Sequence, residues 1–84
     1  EGSIEDEANQ VLKNLKSICE AAGYTLDDAV KITIFLTDLG NFSVVNDVMK
    51  EYFSEPYPAR ATVEVSGLPL GANVEIEAII SIDG

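Results

Sequence analysis

Residues 58–78, PARATVEVSGLPLGANVEIEA, constrain the fold of this chain more than any other stretch. Two runs in which apolar residues alternate with polar or charged ones are separated by a loop containing glycines and a proline. That pattern is typical of two β-strands joined by a loop, and we place the strands at 59–66 and 73–82. Pro56 and Pro58 prevent a preceding helix from continuing into the first strand.

Side chains on a strand point alternately to two faces, which separates the polar residues of these strands from the apolar ones. On the first strand the polar face consists of Arg60, Thr62, Glu64 and Ser66. Its apolar face consists of Ala61, Val63 and Val65. On the last strand the apolar face consists of Val74, Ile76, Ala78, Ile80 and Ile82, with Glu75, Glu77, Ile79 and Ser81 opposite. We expect any chemical site to lie on the polar face.

Two stretches upstream have the three-to-four spacing of amphipathic helices. The first begins after Ser3, a capping residue type, and ends before Gly23, which favours the left-handed conformation that stops helices. Its predicted apolar stripe consists of Ile4, Ala8, Val11, Leu12, Leu15, Ile18, Cys19 and Ala22. The second helix is predicted over 42–53, FSVVNDVMKEYF, with Asn41 as its cap.

A further strand is predicted between the helices at 30–37, VKITIFLT, because β-branched residues dominate there. Its apolar face consists of Val30, Ile32, Ile34 and Leu36. Two helices can cover only one face of a three-stranded sheet, and we assign them the apolar faces. The other face then consists of Lys31, Thr33, Phe35, Arg60, Thr62, Glu64, Glu75, Glu77 and Ile79. Because a monomer would expose its Phe35 and Ile79, we expect this face to pack against other subunits.

Composition excludes several classes of function. A net charge of −10 with five basic residues argues against nucleic-acid and anionic-membrane partners. The absence of histidine removes imidazole general bases, serine–histidine triads and most transition-metal sites. A single cysteine cannot form an internal disulfide, which favours a reducing compartment. We expect neither a membrane span nor a signal peptide, since no long apolar run is present.

The charged residues of the two final strands are the remaining candidates for chemistry. The guanidinium of Arg60 can hold a substrate carboxylate through two parallel hydrogen bonds, and a nearby glutamate can orient a water or carry a proton. The alternative is a cross-strand surface ion pair, which the spacing alone favours. Asn46, among apolar residues of the second helix, either faces solvent, bonds a neighbouring loop or belongs to a site.

The segments QVLKNLKSICEAAG, VKITIFLTDLGNFSVVN, EYF, PAR-x-x-V-E-V-x-x-L-P and VEIEAI together span about 4–82. In this combination they resemble the RidA (YjgF-type) family of reactive-intermediate deaminases. The resemblance implies a chorismate-mutase-like α+β subunit, assembled as a homotrimer with active sites in the clefts between subunits. It also implies hydrolysis of enamine and imine substrates such as 2-aminoacrylate to 2-oxo acids and ammonia, without a metal or organic cofactor.

The resemblance also assigns site residues. Arg60 matches the arginine that holds the substrate carboxylate, and Glu75 matches the glutamate that positions the attacking water. Asn46 matches a helix asparagine, which we group with substrate binding. Thr62, a further substrate-binding candidate, stands where many members have cysteine, so a role for that thiol is absent. Glu64 and Glu77 are then expected to be structural.

The sequence departs from the family pattern at its start, where members carry further strands with Tyr-Ser-Gln and Ser-Gly-Gln motifs. We therefore expect residues 1–84 to be a single RidA-like domain that corresponds to the C-terminal part, about two thirds, of a full family domain. The expected location is cytoplasmic, or the mitochondrial matrix in a eukaryote. A non-catalytic module that binds or senses small carboxylates is the alternative function. An RNA-directed activity fits poorly with the charge of −10.

Overall fold

The structure is a computed structural model and describes residues 3–55 and 57–81. Its helices and strands follow in the order α1 (Ile4–Ala21), β1 (Ala29–Leu36), α2 (Phe42–Met49), β2 (Ala59–Glu64) and β3 (Val74–Ile80). Both helices pack on a three-stranded sheet through one cluster of buried apolar residues. The predicted order of elements and the α+β layer arrangement are confirmed. Neither helix in the described part of the chain is long and apolar enough to cross a membrane.

The sheet is mixed, with the strand order β2-β1-β3. β1 pairs with β2 in parallel and with β3 in antiparallel orientation. Parallel neighbours require a crossover connection, and α2 supplies it between β1 and β2. The core lies between the helices and the central strand, where Ile32, Ile34 and Leu36 are completely buried. This topology leaves β2 at one edge of the sheet, directly beside the crossover helix.

Both predicted ends of α1 are confirmed. The Ser3 hydroxyl accepts a hydrogen bond of 3.1 Å from the backbone N–H of Asp6. At the other end Gly23 has a φ of +90°, which allows the chain to turn away from the helix. Two members of the predicted apolar stripe are wrong, because Ile18 is 67% exposed and Ala22, just after the last helical residue, is exposed as well, while Cys19 lies in the core.

α2 is shorter than predicted, because the regular helix ends at Met49 and turns follow it up to Tyr52. Phe53, within the predicted helix but beyond the observed one, is nevertheless buried. Asn41 occupies the N-cap position, but within the described residues its side chain makes no capping hydrogen bond. Asp38 instead stabilises the turn before the helix, where its carboxylate accepts from the backbone N–H of Gly40 at 2.9 Å.

The start of β1 differs from the predicted alternation. Val30, which we expected on the apolar face, is 51% exposed, and Ala29 is buried in its place. The cause is an irregularity in the pairing with β3 between Ala29 and Lys31, which reverses the direction of the side chains at this end. From Ile32 onward the predicted faces are confirmed.

The predicted face of β2 is wrong. In the parallel pairing Arg60 lies beside Ile32, Thr62 beside Ile34 and Glu64 beside Leu36. Paired residues of neighbouring strands share a face, so the polar residues of β2 lie on the helix side of the sheet. The open side instead carries Ala59, Ala61 and Val63.

The polarity of β2 misled the prediction because both sides of this edge strand reach solvent. Five of its six residues are exposed, whichever face they occupy. β2 also ends at Glu64 rather than at Ser66. For β3 the predicted faces are confirmed, since Glu75 and Glu77 lie on the open side. Ile82, the predicted end of the last strand, lies outside the described residues.

One long-range contact joins the first turn of α1 to the start of β3. The Glu7 carboxylate accepts hydrogen bonds from the backbone N–H groups of Asn73 and Val74, at 2.6 and 3.2 Å, and from the Asn73 side chain at 3.1 Å. Burial acts to raise the pKa of Glu7, but these hydrogen bonds outweigh it and lower the pKa below its ordinary value of 4.5. Glu7 therefore stabilises the folded chain in its charged form.

Replacement of this carboxylate tests the contact. We expect Glu7→Gln to lower the free energy of unfolding at pH 7 by about 1–2 kcal/mol, since hydrogen bonds to a charged acceptor are lost from a partly exposed site. A depressed pKa in the folded state means that this stabilisation is present above pH 4.5 and disappears as the pH falls through the folded-state pKa. Urea unfolding between pH 3 and 7 measures it. Glu5→Gln, an exposed change in the same helical turn, is the control, and equal losses in both variants would contradict the contact.

Candidate functional site

The candidate site is built around Arg60, near the start of β2 on the helix side of the sheet. The crossover helix α2 brings Asn46 above this position, and Nη1 of Arg60 donates a hydrogen bond to Oδ1 of Asn46. An amide oxygen that receives a charged donor restricts the rotation of the guanidinium. Asn46 therefore holds one end of Arg60 and leaves the other donors of the fork available. The sequence analysis named both residues as site candidates, but only the structure shows the hydrogen bond between them.

An open pocket lies directly beside Arg60, with a volume of about 260 Å³ that includes space open to solvent. Its lining residues are Met49, Lys50, Phe53, Tyr57, Pro58 and Arg60. Met49 and Phe53 are core residues whose accessible edges face this space, whereas the Tyr57 side chain is 42% exposed. The pocket thus combines apolar walls with two cationic groups at its rim. Such a lining suits a small carboxylate that also has an apolar part.

Glu75 does not lie at this pocket. It projects from β3 on the open side of the sheet, where it is the pairing partner of Phe35. Arg60 lies two strands away, roughly 10 Å across the sheet, and on the opposite face. The expectation that both residues share one polar face is therefore wrong. A single copy of the chain cannot bring Arg60 and Glu75 to the same small ligand.

The other polar residues of the two strands separate into a site neighbour and structural groups. Thr62 is partly buried and lies on the same side of β2 as Arg60, two residues further along. The Glu64 carboxylate accepts from the backbone N–H of Leu39 at 3.2 Å, which agrees with its expected structural role. Glu77 is exposed on the open side, beside Thr33.

Apart from Arg60, the pocket-lining residues were missed in the sequence analysis, which assigned none of them to a site. The helical spacing carried a usable signal. Lys50 is four residues after Asn46 and Phe53 is seven residues after it, a spacing that would place all three on one side of the helix predicted over 42–53. What the spacing could not show is that this side runs along the start of β2, next to Tyr57 and Pro58.

The described residues contain no cluster of metal-ligating side chains and no exposed thiol. Within 3–55 and 57–81, no three metal-ligating His, Cys, Asp or Glu side chains lie close together. Cys19 is buried in the core, as predicted, and away from the pocket. Burial raises the pKa of the Cys19 thiol, and the negative charges of Asp28 and Glu20 raise it further. This cysteine is therefore a poor nucleophile.

The contact between Asn46 and Arg60 predicts an energetic coupling. In a double-mutant cycle of Asn46→Ala and Arg60→Ala, we expect a coupling free energy of about 1 kcal/mol, because the hydrogen bond involves a charge but is partly exposed. Urea unfolding of the four proteins measures it. The same cycle with Ser43→Ala, an exposed position on α2, is the control and should show additive effects. Additive effects for the Asn46 cycle as well would contradict the contact.

Comparisons with known proteins connect this geometry to a family. RidA from the Antarctic bacterium Psychrobacter sp. has a TM-score of 0.93 at 51% identity, over 98% of this chain and 67% of that one. E. coli TdcF with bound serine has a TM-score of 0.87 at 38% identity, over 95% of this chain and 65% of that one.

Curated sequences agree with the structural comparison. A protein of Dermatophagoides farinae named 2-iminobutanoate/2-iminopropanoate deaminase is 49% identical over 82 residues, which are 98% of this chain and 64% of the relative. The chain thus spans slightly less than two thirds of the length of the curated relatives that it matches. A family model described as endoribonuclease L-PSP matches residues 1–82. The chain therefore belongs to the endoribonuclease L-PSP family, which includes the RidA proteins, as its motifs predicted.

Proposed function

We propose that this chain forms part of an enzyme that hydrolyses reactive 2-imino acids and their enamine tautomers to 2-oxo acids and ammonia. The observation that carries the proposal is the guanidinium of Arg60, which Asn46 holds in place at the wall of a small pocket. Two relatives support it. One is named a deaminase of 2-iminobutanoate and 2-iminopropanoate, and another was solved with bound serine, an amino acid whose carboxylate such an arginine can hold.

The reaction needs few protein groups. A water adds to the carbon of the C=N bond, the resulting carbinolamine loses ammonia, and the carbonyl group of the 2-oxo acid remains. Arg60 binds the substrate carboxylate with the donors that Asn46 leaves free. Glu75 accepts the proton of the attacking water and returns a proton to the departing nitrogen. Because such imines also hydrolyse in water, the contribution of the enzyme is mainly to position the water against an anchored substrate.

The separation of Arg60 and Glu75 determines how the site is assembled. Since one copy presents them on opposite faces of the sheet, each site combines Arg60 of one copy with Glu75 of a second copy. The open side of the sheet supports such an assembly, because Val63 and Ile79 expose 43% and 55% of their surface there. We infer that the full-length protein, with any residues beyond this chain, assembles as a homotrimer with one site in each of its three clefts.

Removal of the carboxylate anchor tests the proposed reaction. We expect Arg60→Ala to reduce kcat/KM for enzymatically generated 2-iminobutanoate by about 100-fold, because a bidentate charged contact to the substrate is lost. Ammonia release above the spontaneous rate measures it. Lys13→Ala removes the same charge from an exposed site on α1 and should leave the rate unchanged. Equal rates for wild type and Arg60→Ala would contradict the proposal. Binding of 2-oxobutanoate without any hydrolysis would instead favour the non-catalytic carboxylate-binding module.

The shared site makes a prediction about mixed assemblies. Arg60→Ala and Glu75→Gln should each be nearly inactive. We expect Glu75→Gln to lower the activity by about 100-fold or more, because it loses the proton acceptor. Subunits of the two variants, unfolded together and refolded as a mixture, should regain about a quarter of the wild-type activity, because random assembly gives that share of sites with both groups intact. Ammonia release after refolding measures it. Each variant refolded alone is the control, and a mixture that stays inactive would show that both groups act from the same copy.

A further inference from the structure

Glu75, to which the proposed reaction assigns the activation of water, is only the second residue of β3. The segment before this strand is irregular, because Leu70 has a φ of +60° and Gly71 a φ of +71°. Strand ends next to irregular loops are among the parts of a sheet that open most readily. The Glu75 side chain is exposed, so the backbone that carries it decides where its carboxylate can reach. The position of Glu75 therefore depends on what holds the start of β3.

Asn73, the residue just before β3, is held from two sides. From α1, the Glu7 carboxylate accepts from the Asn73 backbone N–H at 2.6 Å, from its side-chain amide at 3.1 Å and from the Val74 N–H at 3.2 Å. From the end of β1, the backbone N–H of Thr37 donates to the carbonyl oxygen of Asn73 at 3.2 Å. Three hydrogen bonds to one charged carboxylate fix both the distance and the direction of the backbone at this point.

The two faces of β3 connect this attachment to Glu75. The Val74 side chain is 2% exposed and belongs to the buried core cluster on the helix side. Because side chains alternate along a strand, Glu75 projects in the opposite direction, to the open side beside Phe35. A rotation of the backbone at Val74 is thus transmitted directly to the Glu75 side chain. Misplacement of a reacting group by about 1 Å can lower a rate by about 100-fold.

We propose that Glu7 is a positioning residue for the deamination reaction. Through the backbone of Asn73 and Val74, it holds Glu75 of its own copy in the orientation that activates water. This inference rests on the proposed function, because it takes Glu75 as the acceptor of the proton from water. It also has a direction: Glu7 acts on the site to which its own copy contributes Glu75, and not on the site to which that copy contributes Arg60.

The first test measures kcat and KM of the full-length assembled protein with enzymatically generated 2-iminobutanoate. We expect Glu7→Ala to lower kcat about tenfold and to change KM by less than about twofold, since the carboxylate anchor at Arg60 is untouched. Glu7→Gln keeps an oxygen that can accept from both backbone N–H groups, so it should restore most of the rate.

Tyr52→Phe is the matched control for a loss of stability. It removes another long-range hydrogen bond of α1, in which the Tyr52 hydroxyl donates to Oδ1 of Asn9 at 3.0 Å. This bond joins α1 to α2 and leaves the start of β3 untouched, so kcat should remain as in wild type.

Mixed assemblies show through which group Glu7 acts. Glu7→Ala subunits refolded with an equal amount of Arg60→Ala subunits should regain about a quarter of the wild-type activity, because that share of sites pairs an intact Arg60 with an undisturbed Glu7 and Glu75. Refolded with Glu75→Gln subunits, they should reach only about a twentieth, because every copy that supplies Glu75 then lacks Glu7. Subunits that had lost activity by failing to fold would restore neither mixture.

Each contrary outcome has a separate meaning. If Glu7→Ala loses no more kcat than Tyr52→Phe, or if Glu7→Gln loses as much as Glu7→Ala, the positioning role is overturned while the deaminase function stands. Recovery with Glu75→Gln subunits rather than with Arg60→Ala subunits would assign the effect to the Arg60 side, and recovery in neither mixture would assign it to folding. Both results overturn the proposal. If the wild-type protein does not accelerate hydrolysis of the imine, the proposed function fails and the positioning role fails with it.

Discussion

The parallel pairing of β2 with β1 is the constraint on which the site depends. Parallel strands require a crossover, and the crossover helix α2 contributes Val45 and Val48 to the same buried cluster as the centre of β1. The pairing places Arg60 beside Ile32, on the side that α2 covers, so its guanidinium reaches Asn46. A shift of the register by one residue would move Arg60 to the open side and separate the two groups.

Residues at the rim of the core also line the pocket beside Arg60. Met49 and Phe53 belong to the buried cluster, yet they also line the pocket, so packing in the interior holds the apolar walls in place. Arg60 itself stays accessible to water at the edge of the sheet, which avoids the large cost of burying a charge. The guanidinium is therefore held by Asn46 at the surface rather than as a buried ion, which is the state that the proposed role in carboxylate binding requires.

The two faces of the sheet divide the proposed chemistry between copies of the chain. The helix side has the anchor, and the open side has the glutamate together with exposed apolar residues such as Val63 and Ile79. In the proposed assembly, the association of subunits that buries these apolar residues also completes the site. Association would then be coupled to activity, because an isolated copy would hold a substrate at Arg60 while its own Glu75 lies on the opposite face of the sheet.

The sequence by itself determined the elements, the caps of α1 at Ser3 and Gly23, the buried centre of β1 and the open-side position of Glu75, because each depends on local periodicity or on local backbone preference. It also determined the family, through motifs spread over the whole chain. Only the tertiary structure decided the face of Arg60, the partner of Asn46 and the exposure of Val30. Alternation shows that side chains point two ways, but not which way the helices lie. At an edge strand both sides reach water, so polarity cannot identify the covered side, and the pairing of β2 with β1 decides it.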